Sequence, residues 1–546
     1  MEFNLAQVHE AVADANPERE CIVWRDRRLT YRDVDERSCR LANVLIDHGL
    51  RLRSPRSELA GHESGQDHLG LYLYNGNEYL ESMLGAYKAR IAPFNVNYRY
   101  VEEELRYLLT DAGAKGIVYH SAFAPTLEKV RNQLGDLTLL LQVADDSGNP
   151  LLDDAVDYES ALGAASPQRP DVERSPDDLY ILYTGGTTGM PKGVLWRQHD
   201  IFVSAMGGRP FGQSQEFESM DALVEASRSG GLKTLATPPL MHGAAQWANF
   251  TSFTSGHTVV IQDDPTRLDP VDVWGLVERE GVAMIQIVGD AFGRPLVEEL
   301  EHGNHDVSSL FVLVNGGAPL NSTLKERLLG QLPNAFILDA VGSSETGAQM
   351  GHTSRRGAAA TGQFTPGPGT AVISEDLRSV LAPGHEGVGW LAQRGFVPLG
   401  YLGDEVKTAR TFPVLDGVRY SVPGDRAVWR EDGVIELLGR DAVTINSGGE
   451  KIFAEEVEQA IAHHPAVFDV VVCGRESQRW GQEVVALVQL KAGESATADD
   501  LRQECGRRIA RYKFPKAVVF LDHIQRSPAG KADYRWAREQ ALAAAP

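Results

Sequence analysis

Short apolar runs alternate with amphipathic segments through most of residues 1–438, and that alternation restricts the chain to layered α/β architectures with parallel strand pairing. In GLYLYNGNEYLESMLGAYKA (70–89) the reading is a strand over 70–74, a turn, and a helix burying Leu80, Met83, Leu84 and Tyr87. VEEELRYLLTDAGAKGIVYH (101–120) repeats the pattern. Leu105, Leu108 and Leu109 share a helix face, Gly113 suits a C-cap, and Ile117 to Tyr119 read as a buried strand. A chain of 546 residues is too long for one core and divides into at least two domains. The pattern changes near residue 439. AEEVEQAIAHHPAVFDVVVCG then gives helix and strand, EVVALVQL a second strand, and TADDLRQECGRRIARYKFP a helix opened by a Thr497–Asp500 capping box and ended by Pro515. The expected fold is α/β: a large N-terminal domain of layered mixed sheets and helices (1–438), with a small α+β C-terminal domain (439–546). Segments 51–68 and 353–370 read as long surface loops.

Composition excludes several classes of function. A net charge of −22 argues against nonspecific nucleic-acid binding, which needs a basic surface. It does not oppose an anionic nucleotide in a pocket, because exposed charges are screened over roughly 8 Å at physiological salt. No apolar run reaches the eighteen or so residues of a membrane span, and MEFNLAQVHEAV lacks the basic and apolar regions of a secretory signal. Cys21, Cys39, Cys473 and Cys505 have no C-x-x-C spacing and read as small buried hydrophobes in a reducing compartment. A cytoplasmic protein without integral membrane association is expected.

YTGGTTGMPKGV (183–194) is the stretch with chemistry in it. Glycines let backbone N–H groups approach an anion, while Thr184, Thr187, Thr188 and Lys192 add donors. The G-x-x-x-x-G-K-[ST] fingerprint is absent, and Pro191 before Lys192 has no place in it. DDLYILYT before the loop and GVLWR after it both read as strands, so it joins strand to strand, whereas a P-loop opens a helix.

This string resembles the phosphate-binding loop of the adenylate-forming superfamily of acyl-CoA synthetases, adenylation domains and firefly-type luciferases. Further matches follow in that family's order: PPLMHGAAQW (238–247), NGGAPL (315–320), DAVGSSETG (339–347), VPLGYLGDEVKTA (397–409), YSVPGDRA (420–427), LGRDAVTINSGGEKI (438–452) and RSPAGKADYRWA (526–537). The likeness covers about residue 20 to the C-terminus.

The resemblance implies an ATP-dependent acyl-CoA synthetase that uses ATP, Mg²⁺, coenzyme A and a small-molecule carboxylic acid. It implies that Thr184, Gly185, Gly186, Thr187, Thr188, Gly189 and Lys192 grip the phosphates, and that Glu345 and Thr184 hold Mg²⁺. Gly317, Ala318, Pro319, Asp339, Val341, Gly342, Ser343 and Ser344 line the adenine side, and Asp425 and Arg440 meet the ribose. Lys531 reaches from the small domain to the reacting oxygens, where a fixed cation favours the transition state. The small domain is implied to be mobile about residues 440–443, later presenting Gly448, Gly449 and Glu450 to the thiol of coenzyme A. His242, Trp247 and Gly316 are implied to wall the acyl pocket. RRIARYK (507–513) reads as a solvated helix face.

Three features depart from the family pattern: Val341 where many relatives stack an aromatic on adenine, Ala442 where many have a charged hinge residue, and the length of the 51–68 loop. IQIVGDAFGRPLVEEL and GSSETG resemble bacterial enzymes acting on fatty acids or carboxylated steroid side chains. Small residues near the pocket segments (Gly243, Ala244, Ala245, Gly316, Gly317) leave room for a bulky acyl group. Two other readings stand beside this one. A ligase of the same fold that passes acyl-AMP to a carrier protein would show no coenzyme A-dependent AMP release. A non-catalytic nucleotide-binding regulator would bind ATP without carboxylate-dependent pyrophosphate exchange. An oligomer is compatible with everything above.

Overall fold

A computed structural model describes all residues except 185–189, 211, 441–442, 448–449, 478–480, 510, 527–529 and 545–546, with the backbone alone at 440, 446, 450, 451 and 481. Among the described residues the strands form three sheets. The first is parallel through Leu179–Thr184, Ala92–Asn95, His68–Tyr72, Ala114–His120 and Leu139–Val143. Lys192–Arg197 then turns back antiparallel along Leu179–Thr184, with Thr184 opposite Lys192. The two strands read on either side of the 185–189 stretch, which lies outside the described residues, are therefore present, as is the helix over Asn77–Lys88 with all four expected apolar residues buried. Gly113 follows the helix Glu102–Asp111 with φ +56°.

The second sheet begins parallel, through Thr258–Ile261, Lys233–Ala236, Met284–Ile287, Val312–Gly316 and Phe336–Ser343. It continues antiparallel through Gly347–Ser354 and Gln363–Pro366 into Ile435–Arg440 and Asp425–Trp429. Ile285, Ile287, Leu313 and Ile337 point to one face and pack on the helices Pro270–Glu280, Gly289–His302 and Ser322–Gln331. Alternation then sends residues of opposite parity to the other face, which matters below.

The third sheet takes Glu450–Phe453, Thr444–Ser447, Gly481–Leu490, Val467–Ser477 and Ala517–Phe520, and its core is its own, built on Ile452, Val471, Leu487, Leu501 and Ala537. The chain thus has a large N-terminal part of mixed sheets and a small C-terminal α+β domain. The Thr497–Asp500 capping box is present, but its helix ends at Gly506, well short of Pro515. Arg507 and Arg508 fold back on Glu504, and Lys513 pairs with Glu456 in a short 3-10 turn. The 507–513 segment is therefore not a helix face. Likewise 353–370 is not wholly loop, since Gln363–Pro366 links the two halves of the second sheet. The 51–68 segment is closed on itself by a Leu52–Gln66 bridge and an Arg53–Asp67 ion pair at 2.7 Å.

All four cysteines are free and buried. Glu10, Asp35 and Cys39 approach as a metal set would, but the ammonium of fully buried Lys88 already lies among them, 3.7 Å from Glu10 and 3.2 Å from Cys39 Sγ. The cluster is a buried ion pair tying the N-terminal helix to its neighbours. No helix among the described residues is long and apolar enough to cross a membrane.

Candidate active site

A cavity of about 860 Å³ opens at the carboxyl ends of the parallel strands in the second sheet and runs along their free face. The strand parity set by the core on the opposite side puts Met284, Gln286, Val312, Val314, Gly316, Leu338 and Ala340 on its floor. The helix Gly243–Thr254 forms its roof, presenting Gly243, Ala244, Trp247, Ala248, Thr251 and Ser252 at helical spacing. Small side chains along that roof keep the channel open. Ala245 does not belong to it: that residue is fully buried in the core behind.

The upper end brings together Thr184, Gly316, Gly317, Val341, Gly342, Ser343, Ser344 and Lys531 from the expected residues. Strand Val312–Gly316 ends in Gly317, whose φ of +85° bends the chain away in a conformation that side chains rarely adopt. Lys531 enters here from the small domain, its Cε 3.9 Å from where Gly317 would carry a Cβ. The Lys531 loop is seated by its neighbours. A Cβ on Gly530 (φ +73°) would meet Ala291 Cβ at 3.2 Å, and Arg526 donates to both Asp469 oxygens at 2.7 and 2.6 Å and to Gly530 O at 3.3 Å. Arg294 stacks over Phe468 at 4.5 Å, and Ser322 meets His463 at 3.3 Å, so the small domain is docked on the helices beside the cavity.

His242, Trp247 and Gly316 line the cavity as expected. His242 precedes the roof helix. Burial, then the charges of Lys531 and Arg99, lower its pKa to about 3, so the imidazole is neutral and its Nε2 has no partner among the described residues. Trp247 donates to Tyr180 at 3.2 Å. Thr184, Val341, Gly342, Ser343 and Ser344 complete the upper wall. Asn95 fixes the first of these strands, donating to Tyr183 O at 2.9 Å and Met241 O at 2.7 Å while accepting from Tyr183 N.

Glu345 follows the strand Phe336–Ser343. The Tyr401 hydroxyl donates to its Oε1 at 2.8 Å, Ser421 donates to its carbonyl, and Trp196 donates to Ser344 O at 2.8 Å. Thr184 lines the cavity, whereas Glu345 lies just past its lining residues Ser343 and Ser344; a carboxylate and a hydroxyl are the kind of oxygen ligands that Mg²⁺ takes together with substrate phosphates. Lys192 does not line the cavity. Burial would lower its pKa, but Asp111 at 3.6 Å, Tyr107 and Asp404 at 3.9 Å hold it above the ordinary value.

Other expected residues lie elsewhere. Asp339 falls on the opposite strand parity from Leu338 and Ala340, and its buried carboxylate is taken by Lys325 at 2.6 Å and Asn315 at 2.9 Å. Ala318 packs on the helical core side, and Pro319 supplies a carbonyl to Asp290 N at 3.1 Å. Asp425 and Arg440 stand directly opposite each other on adjacent antiparallel strands. Gly185, Gly186, Thr187, Thr188, Gly189, Ala442, Gly448 and Gly449 lie outside the described residues; Glu450 begins the strand Glu450–Phe453. Sequence reasoning missed Tyr401, Arg526 and Gln286. The first two gave no local signal, whereas Gln286 is a lone polar residue inside the apolar run MIQI.

The chain matches the family described as AMP-binding enzyme over residues 9–402 and the AMP-binding enzyme C-terminal domain over 456–531. It is 59% identical to the medium-chain acyl-CoA ligase Mig of Mycobacterium avium, covering 99% of this chain and 98% of that one. It is 39% identical to a 3-oxocholest-4-en-26-oate–CoA ligase of Rhodococcus rhodochrous, covering 99% and 96%. Among solved structures, an anthranilate CoA ligase in complex with anthranoyl-AMP shares the fold with a TM-score of 0.83 at 20% identity, covering 99% and 98%. The matched family spans, the long relatives and the shared fold agree: this chain belongs to the AMP-binding, adenylate-forming enzyme superfamily.

Proposed function

We propose that this AMP-forming acyl-CoA ligase activates a medium-chain hydrophobic carboxylic acid. The observation that carries the reading is Lys531 standing beside Gly317 at the mouth of an elongated apolar channel. The acid lies with its chain along the sheet face and its carboxylate at Gly316 and Gly317. A carboxylate is already ionised at neutral pH, so its attack on the α-phosphorus of ATP needs no general base, in keeping with a neutral His242. Charge gathers on the oxygens around phosphorus as the bond forms, and the Lys531 ammonium lowers that barrier. Thr184, the 185–189 loop and Lys192 hold the departing phosphates. Mg²⁺, held through the oxygens of Glu345 and Thr184, would neutralise phosphate charge.

After pyrophosphate leaves, the small domain turns about residues 440–443, just beyond the Asp425–Arg440 pairing, with the domain boundary at 438/439. Lys531 withdraws, Gly448, Gly449 and Glu450 come to the site, and the thiol of coenzyme A attacks the mixed anhydride to release AMP. Holding the reactants in place does most of the work, without a covalent enzyme nucleophile.

Channel depth supports the medium-chain preference. Gly316 to Val312 on one strand spans about 13 Å at about 3.3 Å per residue. Each carbon of an extended chain advances somewhat less than a C–C bond of about 1.5 Å, so about ten carbons reach the Val312 level. There Thr234 and Ser252 join floor to roof through a 2.8 Å hydrogen bond, and beyond them the lining continues to Leu232 and Phe311. The test is coenzyme A-dependent AMP release across saturated acids of increasing length and a steroid side-chain acid. A rate maximum near ten carbons is expected. A maximum at very short acids, or with the steroid acid alone, would count against the reading.

A further inference from the structure

Gln286 is the residue of the channel floor whose chemistry the reading above leaves unused. It lies on Met284–Ile287 in the middle of the parallel sheet, flanked in register by Ala236 on one side and Val314 on the other, with Leu338 one strand further. All three neighbours are apolar. Ile285 and Ile287 point into the helical core, which fixes the amide on the channel side. Gln286 is 9% exposed, its Oε1 is buried without a partner, and its side chain makes no hydrogen bond among the described residues. Of its polar neighbours in the channel, Trp247 is committed to Tyr180 and Thr234 to Ser252, while the other lining atoms without a partner among the described residues, His242 Nε2 and His257 Nδ1, belong to different elements.

A buried amide without partners opposes folding and binding unless something supplies the missing bond. On the roof helix, Ala244 and Ala248 are apolar and the Thr251 and Ser252 hydroxyls are taken by Ala205 O and Ala248 O, so a group that enters the channel can supply the missing bond. We propose that Gln286 reads an oxygen function in the middle of the acyl chain, so that the preferred acid carries a hydroxyl or oxo group there. This rests on the ligase reading and narrows its substrate class. The level of Gln286 is two residues below that of Gly316, or about 7 Å along the sheet. At somewhat under 1.5 Å per carbon, the oxygen belongs on about the fifth to seventh carbon from the carboxylate. A hydroxyl suits the site best, since it donates to the amide oxygen and accepts from the amide nitrogen. The 3-oxo group of a steroid acid lies at the far end of a rigid ring system and does not meet this level when the carboxylate is at Gly317.

The experiment compares kcat/KM, by coenzyme A-dependent AMP release, for decanoate, decanoate hydroxylated at the sixth carbon, and decanoate hydroxylated at its terminal carbon. The full-length enzyme and Gln286→Leu are both assayed. The wild-type chain is expected to favour the mid-chain hydroxy acid over decanoate by at least about tenfold, because the plain chain leaves the amide unpaired. Terminal hydroxylation should bring no gain. In Gln286→Leu the order should invert, with decanoate turned over faster than by wild type. A wild-type preference for plain decanoate overturns the proposal even if the variant fails to fold, as does a mid-chain preference that survives in Gln286→Leu. No turnover of any of the three acids would instead overturn the medium-chain ligase reading on which it stands.

Discussion

Tyr401 donates its hydroxyl proton to Glu345 Oε1 across 2.8 Å, joining the carboxylate at the end of one sheet to an edge strand of the other. Lys407 lies over the same Tyr401 ring at 3.9 Å, so the phenol is held from a second side. In the role proposed for Glu345, the bond would fix the direction in which the carboxylate oxygens meet a cation and the phosphates it carries.

Removing that bond should loosen the cation rather than the acid. Tyr401→Phe is expected to raise the Mg²⁺ concentration needed for half-maximal pyrophosphate exchange by about tenfold, since a hydrogen bond to a charged group contributes about 1.5–3 kcal/mol. The KM for the carboxylic acid should stay within about twofold. A variant with an unchanged Mg²⁺ requirement would separate Tyr401 from the role given to Glu345.

The turn at Gly317 is the next point of sensitivity. Gly317→Val places a branched side chain in the left-handed region, at a cost of about 1–2 kcal/mol or more, and pushes it toward Lys531. Thermal unfolding should fall by several degrees, and adenylation should drop more than the stability loss explains. Full activity in a destabilised but folded variant would show that the Lys531 approach tolerates crowding.

His242 makes a prediction about pH. Its folded-state pKa of about 3 lies below the ordinary histidine value of about 6.5, so between those values the unfolded chain takes a proton that the native chain refuses. Its contribution to stability is complete above pH 6.5 and is lost as pH falls toward 3, at up to about 1.4 kcal/mol per pH unit. Denaturant titrations at pH 7.5 and pH 5 should therefore show wild type losing more stability than His242→Asn. Activity between pH 6 and pH 8 should show no inflection that the variant abolishes. An inflection assigned to His242 in that range would contradict the neutral imidazole.

Much of the frame was legible because it is local. Two apolar, β-rich runs flanking the glycine-rich stretch, with the helical pattern read only after His199 and Asp200, point to the antiparallel pair Leu179–Thr184 and Lys192–Arg197, and the helix itself begins at Gln198. The Thr497–Asp500 box likewise fixed a helix start. Its end was not legible: Pro515 marks where a helix must have stopped, while the turn back of Arg507 and Arg508 onto Glu504 decides where it did. At the site, the residues whose position follows from a strand end or turn, such as Gly317 and Ser344, converge as expected. Asp339 does not, because strand parity and Lys325 on a neighbouring helix claim it for the interior. Tyr401 and Arg526 act through contacts with Glu345 and Asp469, partners 56 and 57 residues away, which no local pattern announces.

The small domain's anchorage gives a further test. Arg526→Gln keeps a polar side chain but gives up the two-oxygen grip on Asp469 that seats the Lys531 loop. As a positioning residue it should lower kcat for adenylation by about tenfold while leaving KM for ATP and acid within about twofold, and Arg526→Lys should recover part of the loss. A loss confined to KM, or no recovery with lysine, would make Arg526 a structural residue only.

The most direct measurement takes Lys531→Ala through both half-reactions separately. With carboxylic acid and ATP, pyrophosphate exchange should fall by about 10²–10³-fold. With supplied acyl-AMP and coenzyme A, thioester formation should proceed at close to the wild-type rate. Equal loss in the two half-reactions, or full pyrophosphate exchange in the variant, would contradict a lysine delivered to the reacting carboxylate and phosphate.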